Sequence, residues 1–315
     1  MTPKFKALHP PPFVHVPSPS HTHSSTLIFL HGTSQTGPEL ASIFLSFPIP
    51  SSPIPTTSPT PTKTLPELLP NTKFVFPTGA PKKTTVFGGS ESNSWFDIHT
   101  FADRTVGEDD QIPGLSESIV YLRNVIEEEV DVLVQGGVAR VEARKRIVVA
   151  GFSSGAALTA LGMLSGEWEV GGVIGGYVVM SGWLPFRIKI ERLLDAEKAG
   201  ERMSSAKSLI RDILGFDELE KQKEGAPVGL EKERQGSELE GPKEGRTKIL
   251  LTHGEMDVKM RYEWGVQMRN TLEQIGFDVQ FKSYPELDHW VCGEEMVDVV
   301  EFLEEIWKVF KVKKR

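Results

Sequence analysis

The stretch Arg146-Ile-Val-Val-Ala-Gly-Phe-Ser-Ser-Gly-Ala-Ala-Leu158 decides the fold. Its first five residues, Arg146 to Ala150, are a short β-branched apolar run, the pattern of a strand buried on both faces. From Ser154 the residues are small and suit a helix start. Between them stands Gly151-Phe152-Ser153-Ser154-Gly155, a serine with glycine two positions away on each side. A strand that turns at once into a helix holds its central residue in a strained conformation. Side chains at the flanking positions would collide, so glycine there is a steric demand. Such a turn lifts the Ser153 hydroxyl to the top of a sheet. The helix start aims free N–H groups and the positive end of its dipole at the same place.

Outward from this turn, strand and helix patterns alternate. Thr26-Leu-Ile-Phe-Leu30 is an apolar run entering a loop at His31-Gly32, and Lys73-Phe-Val-Phe76 is another, stopped by Pro77. Gly172 to Met180, Lys248 to Thr252 and Phe277 to Tyr284 also read as strands. Ile112 to Val134 carries Ile119, Leu122, Val125, Ile126 and Val130 at helical spacing. Met260 to Ile275, closed by Gly276, and Val291 to Phe310 read as helices. Strands separated by helices predict an α/β class with a mostly parallel sheet and helices on both faces. The predicted organisation is an N-terminal arm over 1–25, poorly ordered, then a single domain over 26–315. That domain carries two polar insertions, a Pro/Ser/Thr stretch over 48–66 and a Glu/Lys/Gly stretch over 217–246.

A serine hydroxyl is a weak nucleophile and needs a base, and the base needs an orienting carboxylate. The turn resembles that of the α/β-hydrolases, and this resemblance implies that the acid and the histidine follow the serine in that order, each on a loop after a strand. Asp257, in His253-Gly-Glu-Met-Asp257, lies just beyond the strand ending at Thr252. His289 follows the strand ending at Tyr284. The rivals are Glu255 for the acid, with Asp278 in a strand and Asp288 adjacent to His289 as weaker choices. His9, His15, His21 and His23 lie in the polar arm, His31 reads as a loop residue, and His99 is a possible pocket residue. An oxyanion hole needs two backbone donors. The N–H of Ser154 is one, and the loop Leu30 to Gly37 offers Thr33 as the other.

Composition excludes several classes. Of 315 residues, 35 are Lys or Arg against 43 Asp or Glu, a net charge of −8. That is not the basic footprint of a nucleic-acid binder. The single cysteine, Cys292, forbids an internal disulfide and reads as inert. No pattern suggests a metal or another cofactor. The most apolar run, Val170 to Phe186, is glycine-broken and too short for a membrane span. The N-terminus lacks the apolar core of a secretory signal. A cytoplasmic location is the expectation.

Six segments in order resemble the acyl-protein thioesterase / phospholipase–carboxylesterase family of α/β-hydrolases. They are Leu30-His-Gly-Thr-Ser-Gln-Thr-Gly37, Trp95-Phe-Asp97, Gly151-Phe-Ser-Ser-Gly155, Met180-Ser-Gly-Trp-Leu-Pro185, His253 to Asp257, and Asp288-His289. The resemblance runs from about Thr26 to Phe310 and skips the insertions. It implies an α/β-hydrolase fold and a cytosolic serine hydrolase of acyl thioesters and oxoesters, with an acylated small molecule, lipid or protein as substrate. Departures from the family pattern are Ser154 for Gln, Ser34-Gln35 for Gly-Asp, and Asp288 for Gly. They bear on the acyl pocket and oxyanion loop, whereas Ser153, Asp257 and His289 are intact. Trp95, Phe96, Trp183, Leu184 and Phe186 are candidates to line an apolar acyl site, or else ordinary core. The alternatives are an acyltransferase or specialised-metabolism esterase on the same three residues, and a degenerate hydrolase fold serving as a binding module.

Overall fold

In the computed structural model of the chain, residues 9–50, 61–217 and 247–308 are described. The sheet has seven strands: β1 (Phe13–His15), β2 (Ser25–Leu30), β3 (Thr72–Phe76), β4 (Ile147–Phe152), β5 (Gly176–Met180), β6 (Lys248–Gly254) and β7 (Val279–Tyr284). Their order across the sheet is β1-β3-β2-β4-β5-β6-β7. Every pairing is parallel except β1 with β3. The register places Leu30 beside Gly151, Phe152 beside Met180, and Gly254 beside Tyr284. The carboxyl ends of the six parallel strands therefore finish along one edge, where ligands of open parallel sheets bind.

Alternation along the strands divides the core into two layers. On β4, Ile147 and Val149 face one layer while Val148 and Ala150 face the other. The first layer is covered by α2 (Glu108–Gln135), α3 (Ser154–Ser165), α4 (Arg187–Ala196), α5 (Arg202–Ile213) and α6 (Tyr262–Ile275). The second is covered by α1 (Gly37–Ser46) and α7 (Gly293–Lys308), which bring Leu40, Phe44, Met296 and Phe302 against Phe29, Val148 and Met180. Each such buried side chain contributes about 1.5–3 kcal/mol. Every residue of α3 is buried. A helix enclosed on all sides fixes rigidly whatever its first residue carries.

The arm expected to be poorly ordered is docked from His9 onward. Phe13–His15 adds an antiparallel edge strand to β3. His9 stacks on Tyr121 with ring centroids 3.8 Å apart and hydrogen-bonds Glu117 at 2.8 Å. A three-residue, half-exposed strand among prolines has no alternation to read. In the first expected insertion, Ile49–Pro50 pairs with Thr62–Lys63; residues 51–60 lie outside the described residues. So does the second insertion except Asp217. Among the described residues no helix is long and apolar enough to cross a membrane.

One buried acid gives the fold a pH signature. Glu295, at the start of α7, accepts the Thr252 hydroxyl at 2.6 Å under β6. Burial raises its carboxyl from 4.5 to about 7. Between those values the unfolded chain has released this proton and the folded chain has not. Stability is therefore lost as pH rises from about 4.5 through 7. Glu295→Gln stays neutral and keeps an acceptor for Thr252. It is expected to exceed the wild type by on the order of 3 kcal/mol at pH 8 and to lose that advantage near pH 4, as read by denaturant melts at both values.

Candidate active site

The β4–α3 junction holds Ser153 at φ 57°, ψ −117°, a conformation that non-glycine residues rarely adopt. The flanking glycines are enforced by contact. A Cβ on Gly151 would lie 2.2 Å from the Gly155 carbonyl oxygen, and one on Gly155 would lie 2.5 Å from that of Leu30. The Ser153 amide donates to Met180 O at 3.0 Å, and the Ser153 carbonyl starts α3 by accepting from Ala157. These bonds hold a turn whose strain is about 1–3 kcal/mol.

Opposite the serine stand two loops bolted together. The loop after β6 carries Asp257 and the loop after β7 carries His289. Glu255 N donates to Tyr284 O and Met256 N to Leu287 O, each at 3.0 Å. Gly254 is packed so closely that a Cβ would sit 2.2 Å from Leu287 O. The backbone itself thus fixes the separation of the two side chains. His289 Nδ1 lies 2.7 Å from Asp257 Oδ2, and His289 Nε2 lies 3.1 Å from Ser153 Oγ. An ionised carboxylate only accepts, so Nδ1 carries the proton and Nε2 is free to accept from the serine hydroxyl. Asp257 is buried, and its second oxygen accepts the Lys259 and Met260 amides at 3.0 and 2.7 Å. The Phe152 ring stacks on the imidazole, centroids 5.0 Å apart, and limits its rotation.

The rival residues lie elsewhere. Glu255 accepts the Ser283 hydroxyl at 2.7 Å and faces solvent. Asp278 and Asp288 are exposed. His99 sits between Asp97 and Asp110. His253 is buried, hydrogen-bonds Met260 O at 2.7 Å, and is held below the usual imidazole range by burial. Cys292 is half-buried, and burial raises its thiol.

The loop after β2, which carries Thr33, rests on an aromatic support. His31 is fully buried, and burial lowers its pKa to about 4. Its neutral ring accepts the Gly79 amide on Nε2 at 2.9 Å, so Nδ1 donates to Gly32 O at 2.6 Å. Trp95 stacks on it, centroids 4.6 Å apart, and donates its indole N–H to His31 O at 2.8 Å. Trp95 and Phe96, candidates for an acyl site or for ordinary core, are wholly buried: one underpins this loop and the other packs edge-on to Trp183. Phe186 is likewise core. Trp183 and Leu184 are buried too, yet they line a small cavity together with Arg104. Gln35 accepts the Gly32 amide at 3.1 Å, and Ser34 beside it has φ 60°. This is how the altered loop closes without the family's usual Gly-Asp pair. The Phe152 stack was missed by sequence reasoning, although the position is conspicuous beside Ser153. Arg104 gave no signal, being one cation in a polar loop.

Comparisons with known proteins identify the family. The family model described as Phospholipase/Carboxylesterase matches residues 12–198 and 237–307. Acyl-protein thioesterase 1 of Cryptococcus neoformans var. neoformans is 28% identical over 308 residues, covering 92% of this chain and 96% of its own. Acyl-protein thioesterase 1 of Mycosarcoma maydis is 28% identical over 242 residues, covering 76% and 79%. Among solved structures, acyl-protein thioesterase 2 of Zea mays superposes with a TM-score of 0.58 at 24% identity, covering 93% and 98%. The chain belongs to the phospholipase/carboxylesterase family and is a serine hydrolase of α/β-hydrolase fold that cleaves carboxylic ester or acyl thioester bonds.

Proposed function

We propose that Ser153 is the nucleophile, His289 the general base and acid, and Asp257 the residue that orients the imidazole. The relay of two hydrogen bonds from Ser153 through His289 to Asp257 carries this reading. As Ser153 Oγ attacks the acyl carbonyl, its proton passes to His289 Nε2. The tetrahedral oxyanion is bound by the amides of Thr33 and Ser154. His289 returns the proton to the departing alcohol or thiol, then activates water to release the acid from Ser153. No cofactor takes part in this sequence.

The substrate proposed is an acylated small molecule, lipid or protein, the class suggested by the names of the relatives. One half-buried cysteine suits a reducing compartment, and the cytoplasm is the proposed location.

The test is turnover of matched oxoesters and thioesters of graded acyl length, with products resolved. The free acid is expected from both series, preceded by a burst of leaving group equivalent to the enzyme. Folded protein that hydrolyses neither would contradict the proposal. Dominant transfer to an added alcohol would favour the acyltransferase alternative.

A further inference from the structure

Arg104 occupies an unusual position for a cation. It lies in the loop before α2 and is only 7% exposed. Its guanidinium lies over three aromatic rings: Trp183 at 4.7 Å, Phe101 at 5.1 Å and Trp264 at 5.5 Å. The acceptors it does have are neutral, Thr100 O at 3.2 Å and Lys259 O at 3.5 Å. The buried Nε–H has no acceptor. Burial lowers its pKa only to about 10, so it stays charged at neutral pH.

Trp183, which lines the same cavity, carries a second unsatisfied donor, its buried indole N–H. The charge of Asp257 partly offsets the burial of Arg104, but two orphaned donors, one cationic, on side chains that line one cavity still suit an acceptor bearing negative charge. Leaving a buried donor unpaired is costly, and more so for a charged group. The acidic side chains of the cavity are engaged elsewhere. Glu108 accepts the Phe186 amide at 2.7 Å, and Asp103 accepts the amide and hydroxyl of Thr105. Arg187 is paired with Glu191.

Two of the cavity's side chains are tied through neighbouring contacts to segments that carry the candidate site. Lys259, which touches Arg104, is two residues beyond Asp257, and its amide donates to that carboxylate. Trp183 follows Gly182, where a Cβ would lie 2.6 Å from the Cβ of Ala156, three residues past the nucleophile. We propose that Arg104 and Trp183 form a carboxylate-binding subsite, so that the preferred ester or thioester carries a free carboxylate apart from its scissile carbonyl. A planar carboxylate matches the fork of a guanidinium and accepts from both donors. This inference rests on the hydrolase reading above and narrows its substrate.

Two arms test it. In the first, mono-p-nitrophenyl esters of succinic, glutaric and adipic acids are compared with the same esters capped as neutral methyl esters. The wild type is expected to favour at least one free acid by about 10-fold or more in kcat/KM. Arg104→Met should erase that ratio, and Arg104→Lys should restore it only in part. In the second, calorimetry measures binding of the three diacids themselves to the wild type and to Arg104→Met, with folding of each variant checked by circular dichroism. Diacid binding weakened by about 10-fold or more in Arg104→Met supports the subsite even if no ester is turned over. Equal or better turnover of every capped ester by the wild type, equal loss on both ester series in Arg104→Met, or no diacid binding by the wild type would overturn it.

Discussion

Alanine at Ser153 is expected to lower kcat for ester hydrolysis by about 10⁴-fold or more. The magnitude follows from chemistry rather than packing. Without the hydroxyl no acyl-enzyme forms, and water has to attack unaided by covalent catalysis. What survives is stabilisation by the oxyanion donors and substrate binding. The substitution removes one oxygen from a side chain whose sole hydrogen bond among the described residues is to His289. The backbone remains at φ 57°, held by the Met180 and Ala157 bonds. Stability should therefore move by no more than about 1 kcal/mol. Steady-state rates beside thermal melts separate the two effects. A variant with intact folding and near-wild-type turnover would remove Ser153 from the mechanism.

Asparagine at Asp257 is expected to lower kcat by about 10⁴-fold with the fold intact. The reason lies in the two oxygens having different partners. The Lys259 and Met260 amides donate into Oδ1, so the oxygen of the new amide must remain on that side. Its NH₂ is then turned toward His289 Nδ1. A donor there forces Nδ1 to accept and leaves the ring proton on Nε2, facing the serine. The base is in the wrong tautomer and cannot take the hydroxyl proton. Glu255→Gln supplies the control. Its carboxylate serves only Ser283 at the surface, and its effect on kcat should stay within about threefold. A similar loss in both variants, measured under identical conditions, would undo the assignment of the acid.

Much of this site was legible because its demands are local. Gly151 is required by atoms four and five residues away and Gly155 by the end of the adjacent strand, so the sequence displays them. The order Ser153, Asp257, His289 follows from where parallel strands end. The strands at Lys248–Gly254 and Val279–Tyr284 were readable, as an apolar run over Lys248 to Thr252 and an alternating one over Phe277 to Tyr284. The two close pairs Asp257–His289 and Ser153–His289 were not readable as distances. They depend on bonds between two loops, Met256 to Leu287 and Glu255 to Tyr284, that leave no pattern in composition. Trp95 illustrates a different limit. A large aromatic near a site suits either a substrate wall or a buttress, and only its bond to His31 O decides between them. Phe13–His15 escaped because an edge strand exposed to solvent lacks a buried face. Arg104 escaped because its significance arises from partners that are distant in sequence and, for its Nε, from a partner that is missing.

The most direct measurement is the site of covalent capture by a fluorophosphonate, read by intact mass and peptide mapping. The triad geometry predicts one adduct per chain, on Ser153, formed slowly in Asp257→Asn and not at all in Ser153→Ala. An adduct on another residue, or labelling undiminished in Ser153→Ala, would contradict it.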